Sequence, residues 1–271
     1  MKKEKVYEET EIKEKKEKRS GAKKKRKRRK KGGGRVVLYV LLTLVVLILA
    51  SLLTIWLLCD VKKVTYTGNT LYTDETIEPY VFTDEYCQNT VYCYLKNRFF
   101  NRISIPFVEQ VTVQMTDANS LTVEVKEKEL TGMMIDSEGA FVYFDSENRI
   151  AEISGQLIPN IPLVAMADVK IEGEAVGDAL PLKSKRAKEL KNIFSDLKDE
   201  GIFVANVLFA DDGTIAMSYG DIVIDLGTSS NLDAKILRLK YILPQLEGEK
   251  GTLHLEDWDE GNRDIVFEKA E

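Results

Sequence analysis

The chain has 271 residues, 39 Lys and Arg against 44 Asp and Glu, and a formal net charge of -5. That near-balance hides two unlike pieces: residues 1–35 hold 18 basic and 6 acidic side chains, a net +12, which leaves -17 for the remainder. A hydrophobic content of 44% suffices for packed cores and excludes collagen-like, rod-like and wholly disordered classes, while 3 Cys and 1 His argue against a Cys/His zinc site and leave metal chemistry to carboxylates.

Residues 1–31 alternate Lys and Glu before the basic run KKKRKRRKK at 23–31. With almost no core-forming side chains, this segment is expected to be a disordered cytoplasmic tail over 1–35. A basic nonamer can also mark a nucleic-acid patch, but this one abuts an apolar segment and has no aromatic residues interleaved for base stacking.

Residues 36–59 read VVLYVLLTLVVLILASLLTIWLLC, 24 residues without a charge. As a helix they would span roughly 36 Å, more than the ~30 Å of a bilayer's hydrocarbon core. The stretch is too long for the apolar region of a signal peptide, and LLCDVKK has no small-residue cleavage site, so the segment reads as an uncleaved anchor with Tyr39 and Trp56 at its interfaces. The positive-inside rule then keeps the basic tail in the cytoplasm and places residues 60–271 outside the cell.

The first outer element, VKKVTYTGN at 61–69, predicts a short strand with Val64 and Tyr66 on one face, ending at Gly68-Asn69. A helix follows, with Thr73 as N-cap, Asp74 and Glu75 in its first turn, and Tyr72 and Ile77 at hydrophobic-staple spacing. A second helix is expected near 91–101, with Tyr94, Leu95, Arg98 and Phe99 at helical spacing. Val111, Val113 and Met115 alternate before the turn TDANS, and Leu121, Val123 and Val125 alternate after it, which predicts a hairpin with one buried face. Residues 60–127 thus form a small α+β unit.

Beyond Glu127 come short strands in TGMMID, AFVYFD and RIAEIS. A helix over 183–200 carries the stripe Ala187, Leu190, Ile193, Phe194 and Leu197, stopped by Gly201. A second helix over 231–246 carries Leu232, Ile236, Leu239, Leu243 and Leu246. Three strands lie between them, turning at Asp212-Gly213 and Gly220-Asp221, and GTLHLEDW and RDIVFEK close the chain as two more. The expectation for 128–271 is a mainly antiparallel β domain with two flanking helices, and the fold class overall is α+β.

Catalytic signatures are weak. SDLK at 195–198 and SSN at 229–231 echo a transpeptidase, but Ser195 points away from the apolar stripe, Lys198 lies on its edge, and no K-T-G occurs. Ser230 with Asp233 fits a helix start instead. His254 is the one histidine, on the strand face opposite Leu253 and Leu255, and no G-x-S-x-G occurs. Glu256, Asp257, Asp259 and Glu260 cluster near the end, but Gly261 falls at the fifth position from Asp257 where an EF-hand loop needs its glycine sixth, so a solvated turn fits better than a calcium loop. Cys87 and Cys93 could bridge across a loop, whereas a continuous helix would put them on different faces; both options stay open.

This layout resembles the FtsQ/DivIB family of bacterial cell-division proteins. The resemblance rests on VKKVTYTGN at 61–69, PFVEQVTVQMTDANSLTVEV at 106–125 with Glu127, IDSEG at 135–139, IPNIP at 158–162 and DAKILRLKYIL at 233–243. It implies a POTRA domain over 60–127, a β domain over 128–271, and a non-catalytic divisome scaffold with no cofactor and no metal. It further implies FtsL-type and FtsB/DivIC-type bitopic partners, an influence on septal peptidoglycan synthesis by FtsW/FtsI-type enzymes, and a place at the division septum. In the family a partner adds a strand to the end of the β domain, which points here to the final strand at 263–268 and to Glu256, Trp258, Arg263, Ile265, Val266 and Phe267 as the partner-binding residues. His254-Leu255-Glu256-Asp257 stands where many relatives carry Asp-Leu-Arg and an aromatic residue, so a basic contact becomes acidic. The alternatives are a membrane-anchored cell-wall enzyme using paired carboxylates and, more remotely, a receptor whose acidic outer domain senses a cation.

Overall fold

A computed structural model describes residues 33–259, 261–262 and 264–270. The expected disordered tail therefore falls outside the described residues, apart from its last three positions. The described chain divides into two units, Met1–Leu58 and Cys59–Glu271.

The first unit contributes helix α1, Gly33–Leu58. Its segment Arg35–Leu58 is 24 residues long and apolar enough to cross a membrane. Its few hydroxyls turn back on the helix: Thr43 donates to the Val40 carbonyl at 2.9 Å, Ser51 to Ile48 at 2.7 Å and Thr54 to Ala50 at 2.9 Å. In hydrocarbon, where no water can satisfy a hydroxyl, that bonding lets polar side chains sit within the span.

The second unit is α+β and holds two sheets. The smaller has strands β1 (Lys63–Thr67), β2 (Val108–Asp117) and β3 (Ser120–Glu127) in the order β1-β3-β2, with β1 parallel to β3. The hairpin pairs Val111 with Val125, Val113 with Val123 and Met115 with Leu121, the apolar face expected from alternation. Gly68 ends β1 at φ 81, and a Cβ there would lie 2.2 Å from the Val125 carbonyl oxygen, so close backbone approach requires glycine. Glu127 secures the next turn, accepting the backbone N–H of Thr70 at 2.5 Å and of Leu71 at 2.7 Å together with the Thr70 hydroxyl.

Helices α2 (Asp74–Val81) and α3 (Thr90–Phe99) cover this sheet and bury Ile77, Val81 and Cys93 with Val113, Leu121, Val123 and Val125. Two expectations need correction. Thr73 occupies the N-cap position of α2, but its hydroxyl lies 3.1 Å from that of Thr76 instead of capping a backbone N–H. In α3 the buried side chains are Thr90 and Cys93, with Tyr94 partly buried, while Leu95 and Phe99 are exposed. Counting from Tyr94 placed the stripe too far along the helix; Asn97 belongs to the inner face, where it donates to the carbonyls of Val81 at 3.1 Å and Cys93 at 2.9 Å. Cys87 sits on a short 3-10 turn, Glu85–Gln88, that Asn89 separates from α3; both thiols are free and buried, and burial pushes Cys93 up to about 12.

The larger sheet has nine strands: β4 (Gly132–Ile135), β5 (Phe141–Phe144), β6 (Ile150–Ser154), β7 (Leu163–Met166), β8 (Asn206–Phe209), β9 (Ile215–Tyr219), β10 (Ile222–Gly227), β11 (Gly251–His254) and β12 (Val266–Lys269). Their order is β12-β11-β10-β9-β8-β7-β4-β5-β6. Most neighbours are antiparallel, but β4 with β7, β7 with β8 and β10 with β11 run parallel. The two expected helices explain two of these pairs. Helix α4 (Ser184–Glu200) carries the chain from β7 to β8, and α5 (Leu232–Ile242) from β10 to β11, because parallel neighbours need a crossover long enough to return to the starting end.

One face of the sheet buries Leu190, Ile193 and Leu197 of α4 and Ile236 and Leu239 of α5 against Phe144, Phe209, Ile215, Ile224 and Leu253. Gly201 stops α4 in the left-handed conformation at φ 66. On the opposite face, Met133, Tyr143 and Ile158 enclose Phe107, whose ring meets Tyr143 edge-on at 5.0 Å. Glu152 accepts the Phe107 backbone N–H at 3.0 Å and pairs with Lys128 at 2.9 Å, tying the two sheets together inside the unit.

Candidate functional site

Among the described residues, strand β12 ends the nine-stranded sheet and pairs on one side only, with β11. Ala270 N–H donates to the Lys250 carbonyl at 2.9 Å, so antiparallel alternation aims the N–H groups of Phe267 and Lys269 away from β11, toward the open edge. Gly251 makes this pairing possible: a Cβ there would lie 2.1 Å from the Glu268 carbonyl oxygen.

The turn before β12 is held from below by a buried lysine. Lys235 on α5 is 1% exposed, and its ammonium donates to the carbonyls of Leu226 at 2.6 Å and Glu256 at 3.1 Å, joining the end of β10 to the segment after β11. Burial pushes its pKa below the ordinary value, an effect that Glu256, Asp225 and Asp257 partly oppose. Asp259 organises the turn itself, accepting from the backbone N–H of Gly261 at 2.7 Å and of Asn262 at 2.6 Å. Its carboxylate thus shapes a loop, as a solvated turn requires.

His254 lies on the face opposite buried Leu253, with Asp225 of β10 as its register partner. Its Nδ1 is 2.9 Å from Glu256 Oε1 and its Nε2 3.5 Å from Glu268 Oε2. The hydrogen bond to the Glu256 carboxylate, reinforced by the charges of Glu256 and Glu268, raises the imidazole pKa. These groups border a depression of about 540 Å³ lined also by Asp257, Asn262, Asp264 and Phe267.

The six residues expected to bind a partner occupy different environments. Val266 is 58% exposed on the edge strand, and Glu256 is exposed in the preceding turn. Ile265 and Phe267 are half-buried against the core. Trp258 is only 5% exposed, its ring beneath the Arg238 guanidinium at 5.5 Å, so it supports the edge from inside. Arg263 lies outside the described residues. Lys235 and Asp225 were missed; Lys235 lies three residues from Leu232 and four from Leu239, on the buried stripe, which is the signal that could have found it. Away from this region, Lys198 of the SDLK segment pairs with Glu129 at 3.1 Å on the surface.

No family model matches the chain. The chain is similar to the cell division protein DivIB of Clostridium tetani (strain Massachusetts / E88), 26% identical over 166 residues. That match covers 60% of this chain and 62% of the relative, so the chain spans about three-fifths of the curated relative's length. The FtsQ/DivIB resemblance carried by the sequence segments is thus matched by a curated relative.

Proposed function

We propose that this chain is a membrane-anchored, non-catalytic scaffold of bacterial cell division, held by α1 with its basic tail in the cytoplasm and residues 60–271 outside, at the division septum. Residues 60–127 act as a POTRA-type module and 128–271 as the β module that engages partners. The partners are FtsL-type and FtsB/DivIC-type bitopic proteins, through which the scaffold regulates septal peptidoglycan synthesis by FtsW/FtsI-type enzymes. Similarity to DivIB supports the division role.

The observation that carries the partner-binding part is the open edge of β12, where the backbone N–H groups of Phe267 and Lys269 point outward beside exposed Val266. An added strand satisfies those groups and packs on the face that Val266 presents. Deleting residues 251–271 would also remove buried Leu253, Leu255 and Trp258, so a gentler perturbation is needed. Lys269→Pro removes one outward donor, and Lys269→Ala controls for the surface pair with Glu249 at 2.8 Å. In pull-downs with the full-length chain, Lys269→Pro should weaken capture of a DivIC-type partner at least about tenfold, the equivalent of 1.4 kcal/mol, while Lys269→Ala should not. Equal capture by both variants would rule out strand addition at this edge.

A further inference from the structure

We propose that Asp225, His254 and Glu256 form a binding site for a divalent transition-metal ion of the zinc or manganese class. One ligand atom from each of the three lies within 4.8 Å of the others. The convergence follows from strand geometry: Asp225 and His254 are directly paired on parallel β10 and β11, and Glu256 is two residues beyond His254, which returns it to the same face.

The donor set selects the ion. One imidazole nitrogen with two carboxylates suits zinc or manganese, whereas calcium takes six to eight oxygen ligands and magnesium keeps most of its waters. Three protein ligands also leave room for water. The surroundings favour a cation. Asp225, Glu256 and Glu268 surround a single imidazole, and the Lys235 ammonium, which interacts with Asp225 and Glu256, offsets only part of that negative charge.

The backbone supports the ligands on rigid elements. Asp225 Oδ1 accepts the Gly227 N–H at 2.9 Å, which leaves its other oxygen for a metal. Nδ1 faces Glu256 and Nε2 lies 3.5 Å from Glu268 Oε2, so a metal bound at Nδ1 would leave Nε2 beside a carboxylate, as in the carboxylate–histidine–metal arrangement. A bound ion would join β10, β11 and the turn after β11 beside the β12 edge, independently of which partner that edge takes.

The test is calorimetric titration of the full-length chain in detergent with zinc, manganese, calcium and magnesium chlorides, with cobalt(II) as a spectroscopic probe. The expected result is one zinc per chain, a cobalt spectrum of nitrogen and oxygen donors without thiolate charge transfer, and at least about tenfold weaker calcium and magnesium binding. His254→Gln and Glu256→Gln should each weaken zinc at least about tenfold. Glu256 is exposed, so its variant keeps the test valid if another fails to fold. Absence of both zinc and manganese binding, binding unchanged in folded His254→Gln, or a thiolate spectrum abolished by Cys87→Ser and Cys93→Ser would each overturn the proposal.

Discussion

Replacing Lys235 by Met tests whether the buried ammonium holds the turn before the β12 edge in place. Methionine retains most of the volume and apolar stem but removes the hydrogen bonds to the carbonyls of Leu226 at 2.6 Å and Glu256 at 3.1 Å. Charge-assisted hydrogen bonds contribute about 1.5–3 kcal/mol each net of desolvation, about 3–6 kcal/mol for the two, and Lys235 gives up part of that because its site is buried enough to lower its pKa. The balance predicts destabilisation of about 2–4 kcal/mol, or roughly 4–16 °C in melting temperature for a unit of this size. Urea unfolding of the full-length chain, followed by Trp258 fluorescence in a Trp56→Phe background, reads it directly, because Trp258 packs within the same core as α5. The pH dependence provides a second check. Burial lowers the folded pKa of Lys235 below its ordinary 10.5, so above the folded value the unfolded chain binds more protons and stability rises with pH toward 10.5. The cost of charging Lys235 is fully present below that window. Subtracting the Lys235→Met curve from wild type isolates this slope from other groups, including Lys96, Lys240 and Lys250, whose raised values act in the opposite direction. A stability change below about 0.5 kcal/mol with no difference in slope would refute the reasoning.

Gly132→Ala should destabilise the larger sheet by about 1–3 kcal/mol in the same unfolding assay, because overpacking strains a filled core; its Cβ would stand 2.4 Å from Cζ of buried Phe144. In the helical layer over the smaller sheet, the hydrogen bond from Lys96 holds the Asp84 carboxyl down to about 2, helped by donors from Cys87 and Tyr92. Its contribution is therefore present above the ordinary 3.8 and lost as pH falls toward about 2, so Asp84→Asn should flatten the acid arm of the stability profile over that window, and an unchanged acid arm would contradict the role.

How much was legible in the sequence depended on whether local pattern and tertiary context agreed. The hairpin of β2 and β3 has alternation on both sides of its turn, and its pairing follows that pattern residue by residue. Helices α4 and α5 were equally readable from stripes that fill one core. Strand β7 was missed because LVAM is four residues with no polar alternation, a pattern shared by many short segments. Missing it hid two parallel pairings and gave the sheet too antiparallel a character. In α3 the sequence offered large apolar residues on a face the fold leaves exposed, while the small residues Thr90 and Cys93 went inside. Near the sheet edge, Val266 was readable from strand alternation, but Trp258 was expected among the partner-binding residues because nothing local reveals that it is buried and that Arg238, twenty residues earlier, covers its ring. Asp225 and His254 are brought together only by the parallel pairing across α5, which no local pattern specifies.

Hydrogen–deuterium exchange on the full-length chain in nanodiscs, with and without a DivIC-type partner, tests the scaffold account most directly. The account predicts that partner binding slows exchange at the Phe267 and Lys269 amides, the outward-facing donors of β12, while the already paired amide of Ala270 changes little. Formation of the complex with unchanged exchange at Phe267 and Lys269, and new protection elsewhere, would contradict it.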